Sequence, residues 1–148
     1  MSVSFDTTVR LQIYRDFVDS GRAPSSARIA AELESPLDDI RAAFERLAMA
    51  KAIVLQPESR ELLMANPLSA VPTPFLVNAA GRSYFGTCAW DALGIMAMLR
   101  ANAVLETSCP CCGEAASLES HGGALAPARG VVYFGVPARQ WWDNIVFT

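Results

Sequence analysis

Gly86-Thr87-Cys88-Ala89-Trp90-Asp91-Ala92-Leu93-Gly94-Ile95-Met96-Ala97-Met98-Leu99 is the stretch on which the fold turns. Beyond its first turn it carries no charge, and it is apolar around most of its circumference. A helix of that kind is predicted to be the buried centre of its unit rather than a surface element. Strands are expected to pack around it, at Phe75 to Val77 and Ser83 to Phe85 on its N-terminal side. Val104 to Thr107, Ala115 to Glu119, Gly130 to Val136 and Asn144 to Thr148 are the candidates after it, with turn residues between them.

Upstream, Val9, Ile13 and Phe17 recur every four positions, with Tyr14 and Val18 widening the stripe, which predicts a helix from Asp6 to Asp19. A second, from Ser26 to Leu33, turns Ile29 and Leu33 inward. A third opens with Ser35 as N-cap, Pro36 in the first turn and Asp38 and Asp39 at the positive end, with Leu37, Ile40, Phe44 and Leu47 on one face. Ile53 to Leu55 and Glu61 to Met64, joined through Gln56-Pro57-Glu58-Ser59, read as a hairpin. Three helices and a hairpin suggest a winged-helix-like unit over residues 1–68. The Pro-rich stretch from Asn66-Pro67 to Pro74 resists helix and places a boundary near residues 65–74. Residues 69–148 form the second unit. The fold class expected is α+β.

Composition narrows the function classes. The 148 residues are enough for one compact unit or two small ones, burying roughly 70% of the surface an unfolded chain exposes. Apolar residues make up 52% of the chain but are interrupted by charges, so no run approaches the ~18 residues that span a bilayer. The start Met1-Ser2-Val3-Ser4-Phe5-Asp6 lacks the pattern of a secretory signal, so a cytoplasmic location is expected and no membrane partner. A winged helix invites a DNA-binding reading. Residues 1–70, however, hold eight Lys or Arg against ten Asp or Glu, where phosphate contact needs a basic face. A packing module is favoured over a nucleic-acid partner.

Four cysteines in a reducing compartment point to reactive thiols, metal ligands or small buried groups rather than disulfides. Cys88 and Asp91 are three apart, so in a first helical turn they project from one face. Free N–H groups at a helix N-terminus lower a thiol's pKa, whereas a neighbouring carboxylate and burial against Phe85, Trp90 and Leu93 raise one or both groups. Spacing alone is equally served by a buried Cys beside an Asp that caps the helix. Cys109-Pro110-Cys111-Cys112-Gly113 has the C-x-x-C spacing of half a zinc knuckle, with Cys109 and Cys112 as candidate metal ligands. No second pair completes it, so it reads as a thiol-rich turn, with structural zinc disfavoured. His121 reads as a solvated loop residue, and Trp141 and Trp142 as a pair astride a strand.

The run Tyr84-Phe85-Gly86-Thr87-Cys88-Ala89-Trp90-Asp91-Ala92-Leu93 resembles the first active-site motif of the alkylmercury (organomercurial) lyases. Thr73-Pro74-Phe75, Ser108-Cys109 and Gly113-Glu114 follow that family's order of parts. The resemblance implies a winged-helix-like N-terminal unit followed by a domain that cleaves carbon–mercury bonds by protonolysis. On it, Cys88 is the thiolate that binds mercury and Asp91 the acid that protonates the departing carbon. The substrate would be a small organometallic or thiophilic compound, mercury would be substrate or product, and no organic cofactor is implied. The family's second catalytic Cys would fall at or just after Trp141 to Thr148, where this sequence has none. Its end on an apolar run is what a shortened chain would give, and Cys111 or Cys112 are candidate substitutes. The rival reading is a soft-metal or thiol-reactive binding or sensor protein in which Cys88 and the Cys109 to Cys112 cluster capture an ion without breaking a bond. A DNA-binding regulator ranks third.

Overall fold

A computed structural model describes residues 4–146. Three helices come first: α1 (Phe5–Ser20), α2 (Ser26–Glu32) and α3 (Leu37–Met49). Ser4 caps α1 by accepting from the Thr7 N–H, and Gly21 ends it in the left-handed region, with its N–H on the Phe17 carbonyl. Ser25 caps α2 in the same way. At α3 the expected Ser35 cap does not form. Pro36 occupies the N-cap position, and the Ser35 hydroxyl instead donates to the Leu33 carbonyl at 3.0 Å. A short hydroxyl side chain in a tight connection finds a backbone acceptor two residues back before it reaches a helix it precedes by two.

The rest is one antiparallel sheet of eight strands, β1 (Val54–Leu55), β2 (Leu62–Ala65), β3 (Leu68–Ser69), β4 (Leu76–Ala79), β5 (Arg82–Gly86), β6 (Ala103–Ser108), β7 (Ala115–His121) and β8 (Ala124–Leu125). Their spatial order is β1-β2-β3-β5-β4-β6-β7-β8. Both predicted hairpins are present. The Pro-rich stretch forms no helix, as expected, but it is not extended throughout: Asn66-Pro67 is the tight turn between β2 and β3, and Leu68–Ser69 pairs with β2 on one side and β5 on the other. Helix α4 (Ala89–Leu99) leaves β5 and contacts β3, β4, β5, β6 and β8.

Helix α4 corrects the expectation of an enclosed centre. It buries Ala92, Ile95 and Met96 against the sheet, while Trp90 is 60% and Met98 41% exposed on its other side. The helix lies on a sheet instead of inside one, because an open antiparallel sheet offers it a single face. No strand forms at residues 130–136, and Asn144, Ile145 and Val146 lie in a bend and turn; the remainder of that last candidate strand falls outside the described residues. Residues 138–143 make a short 3-10 helix instead. Trp141 there packs on Phe134 and donates to the Val136 carbonyl, and Trp142 stacks under the Lys51 ammonium.

One contiguous core joins the helices to the sheet, from Val9, Ile13, Phe17 and Phe44 through Leu62 and Leu68 to Val77, Tyr84, Ile95 and Leu105. Two tyrosines tie α1 to the strands at its edge. The Tyr14 hydroxyl donates to the Asn66 carbonyl at 2.7 Å and that of Tyr84 to the Val18 carbonyl at 2.8 Å.

Gly86 decides how closely α4 can sit. A Cβ at this position would lie 2.7 Å from the Ala92 amide nitrogen and 2.9 Å from its Cα, both backbone atoms that cannot swing away. At Gly94 the nearest atom would be the Pro67 Cβ at 3.6 Å, an ordinary contact. Gly86→Ala is therefore expected to destabilise the fold by about 1–3 kcal/mol. Gly94→Ala is expected to be neutral or stabilising by up to about 1 kcal/mol through helix propensity. Urea unfolding of the two variants checks the contrast, and equal midpoints would contradict the packing argument.

Candidate functional site

Cys88 is the residue at which extended chain becomes helix. Its backbone is extended, with φ −149° and ψ −179°, and it occupies the N-cap of α4, where Ser or Asp would usually stand. Asp91 then falls in the first turn, and the two side chains meet: the Cys88 thiol donates to Asp91 Oδ2 at 3.6 Å. The Thr87 hydroxyl donates to the same Oδ2. Both members of the pair are half-buried, so neither is sealed in packing. Phe85 and Leu93 are half-buried nearby in sequence, but Trp90, expected to help cover the pair, is turned to solvent.

The strand end that delivers this turn is fixed from behind. Gly86 gives its N–H to the Phe75 carbonyl at 2.9 Å, and its own carbonyl accepts the Thr73 hydroxyl at 2.6 Å. Thr73 also accepts the Phe75 N–H at 3.2 Å. The Thr73-Pro74-Phe75 strap thus holds the residue two before Cys88.

Burial pushes the Cys88 thiol above its ordinary range. The N–H groups of Asp91 and Trp90 act in the opposite direction, and the Asp91 carboxylate adds to the rise. Burial likewise raises the Asp91 carboxyl, partly offset by the hydrogen bond from Cys88. The helix N-terminus does favour the thiolate, yet desolvation outweighs it. The result is a thiol that donates to a carboxylate across one hydrogen bond, with both groups raised above their ordinary ranges.

The other expected ligands stand elsewhere. Cys109 and Cys112 lie in the β6–β7 turn and are not part of the Cys88–Asp91 hydrogen-bonded group. Among the described residues no cluster of three or more His, Cys, Asp or Glu is arranged to hold a metal ion. His121 is exposed at the end of β7. It lines an open depression of about 440 Å³ at the β4–β5 turn, the end of the sheet away from Cys88. Thr87 and Thr73 went unrecognised in the sequence. The first left a signal, a hydroxyl beside the N-cap and four residues before the Asp; the second acts through a contact 13 residues away that no local pattern reveals.

The MerB alkylmercury lyase family matches residues 68–148, more than half of the chain. The chain therefore belongs to the alkylmercury lyase family. Among solved structures, the mercury-bound form of MerB2 is similar with a TM-score of 0.68 at 22% identity, over 84% of this chain and 60% of that one. This chain spans about three fifths of that relative's length. A search of curated proteins found no match. Among the described residues, no helix is long and apolar enough to cross a membrane.

The electrostatics make a specific forecast. Alkylation of Cys88, followed on its own peptide by mass spectrometry, should reach half-maximal rate above the ordinary thiol value of about 8.5. Asp91→Asn removes the negative charge that opposes the thiolate, so the midpoint should move to lower pH. A midpoint that stays put or rises would show that the carboxylate does not act on the sulfur.

Proposed function

We propose that the chain acts as an alkylmercury lyase, cleaving a carbon–mercury bond by protonolysis at Cys88 and Asp91. The observation that carries this is the direct hydrogen bond from a thiol to a carboxylate at the N-terminus of α4, with burial raising the proton affinity of both. An approaching R–Hg⁺ forms an S–Hg bond with Cys88, and the displaced thiol proton passes to Asp91 along the existing hydrogen bond. Asp91 then protonates the carbon as the C–Hg bond breaks. The hydrocarbon leaves, Hg(II) stays on sulfur, and the carboxylate is regenerated. Sulfur is the soft ligand that mercury favours, and an acid held within a few ångströms makes the protonation effectively intramolecular. Thr87, through its hydroxyl on Oδ2, is a positioning residue that presents the other carboxylate oxygen to substrate.

The N-terminal region reads as a winged-helix-like packing module over residues 1–68, with the lyase-like unit at 69–148. Its arginines support packing over DNA binding. Arg28 pairs with Asp16 at 2.9 Å, Arg46 with Asp6 at 2.7 Å, Arg60 with Glu45, and Arg41 lies 3.9 Å from Asp38, so four of the eight basic side chains of residues 1–70 are matched by carboxylates. A second reading, capture of a thiophilic ion without turnover, is favoured by the lack of a third ligating side chain beside Cys88 and Asp91 among the described residues.

The purified chain incubated with an organomercurial and excess small thiol should release hydrocarbon and Hg(II). Cys88→Ser should abolish release, and Asp91→Asn should slow it by roughly 10²–10⁴-fold, the usual contribution of a positioned acid, while leaving the mercurial bound. Stoichiometric retention with no hydrocarbon formed would favour the binding reading, and neither retention nor release would end both.

A further inference from the structure

At the end of the β4–β5 ladder a side chain stands where a backbone bond is expected. Gly86 and Phe75 face each other one row beyond Leu76 and Phe85, and the Gly86 N–H donates to the Phe75 carbonyl at 2.9 Å. A hydrogen-bonded antiparallel pair ordinarily returns a second bond, here from the Phe75 N–H to the Gly86 carbonyl. Instead the Thr73 hydroxyl joins the two groups. It accepts the Phe75 N–H at 3.2 Å and donates to the Gly86 carbonyl at 2.6 Å, so one oxygen satisfies both.

The segment that carries this hydroxyl is stiff. It joins β3 to β4, which flank β5 on either side, so the chain between them crosses β5. At its start the buried Ser69 hydroxyl accepts the Val71 N–H at 3.2 Å and donates to the Val71 carbonyl at 2.8 Å. Pro72 and Pro74 then fix φ on both sides of Thr73, and a residue before proline is confined to extended backbone. The β-branched Thr73 side chain is itself restricted at χ1.

Beyond Gly86 the chain leads to the thiol and the carboxyl. The Gly86 carbonyl shares a rigid peptide plane with the Thr87 N–H, so holding that oxygen fixes the direction in which Thr87 leaves the strand. Thr87 turns its hydroxyl onto Asp91 Oδ2, the same oxygen that accepts the Cys88 thiol at 3.6 Å. A hydrogen bond, a planar peptide and a second hydrogen bond thus connect Thr73 to the carboxyl.

We propose that Thr73 is a positioning residue for the Cys88–Asp91 pair: its hydroxyl sets the Gly86–Thr87 peptide, which aims the Thr87 hydroxyl and so holds Asp91 against the Cys88 sulfur. Its effect on turnover rests on the lyase reading, and its effect on the pair does not.

The test compares Thr73→Val, which keeps the shape and drops the hydroxyl, with Thr73→Ser, which keeps the hydroxyl, each in the full chain. Hydrocarbon release from an organomercurial with excess small thiol should fall about 10–10²-fold in Thr73→Val, the size expected of a misplaced acid, with the mercurial still bound. Thr73→Ser should restore it. Independently of turnover, the pH profile of Cys88 alkylation should move to lower pH in Thr73→Val, because Asp91 is the charged side chain acting on the sulfur and is no longer held there. In an Asp91→Asn chain, Thr73→Val should add no further shift. A bridge that only stabilised the strand end would lower the urea midpoint and leave the profile where it was. Undiminished release from an active chain, an unchanged profile, a shift that persists with Asp91→Asn, or Thr73→Ser behaving as Thr73→Val would each overturn the positioning role. So would failure of both Thr73→Val and Thr73→Ala to fold while Thr73→Ser folds. A wild-type chain that forms no hydrocarbon would end the lyase reading, and the alkylation profile would still decide the role of Thr73.

Discussion

The structure depends on the close approach of α4 to the sheet at Gly86 and Ala92. With no Cβ on Gly86, the first turn of the helix rests directly on the strand backbone. The same glycine is hydrogen-bonded on both sides, by Phe75 and by Thr73. Two residues later the chain has turned from strand to helix, and the N-cap position falls to Cys88. The site is thus a consequence of how the helix is seated: moving α4 away from β5 would move the thiol and the carboxyl with it.

Seating a thiol and a carboxylic acid at a helix N-terminus sets two effects in opposition. The free N–H groups favour negative charge there, and partial burial disfavours it. At Cys88 burial prevails, and both the thiol and the Asp91 carboxyl are raised. At Cys109, also half-buried, the N–H groups of Cys112 and Cys111 prevail and lower the thiol. One chain therefore carries two kinds of cysteine, one raised beside a carboxyl and one lowered in a turn. Desolvation leads at Cys88, whereas backbone N–H groups lead at Cys109.

Much of the fold was legible in the sequence where local patterning and tertiary demand coincide. The spacing of Val9, Ile13 and Phe17 defines α1, and the turn residues around Gly81 define the β4–β5 hairpin, because in each case the buried face matches the period of the element. Misreadings arose where that coincidence fails. Helix α4 is apolar on both sides yet buried on one, and the apolar run at residues 130–136 forms no strand and is mostly exposed. Hydrophobicity states what a segment could bury, and it does not state whether a partner is present to cover it.

For the site, the sequence by itself determined that Cys88 and Asp91 share one helical face, since three residues in a first turn permit little else. It also determined that the remaining cysteines gather in one turn. Only the tertiary structure decided that burial would outweigh the helix N-terminus at Cys88 and that Thr73 and Thr87 would brace the pair. Each of these rests on desolvation or on strand register between distant segments, and such quantities exist only once the chain has folded onto itself.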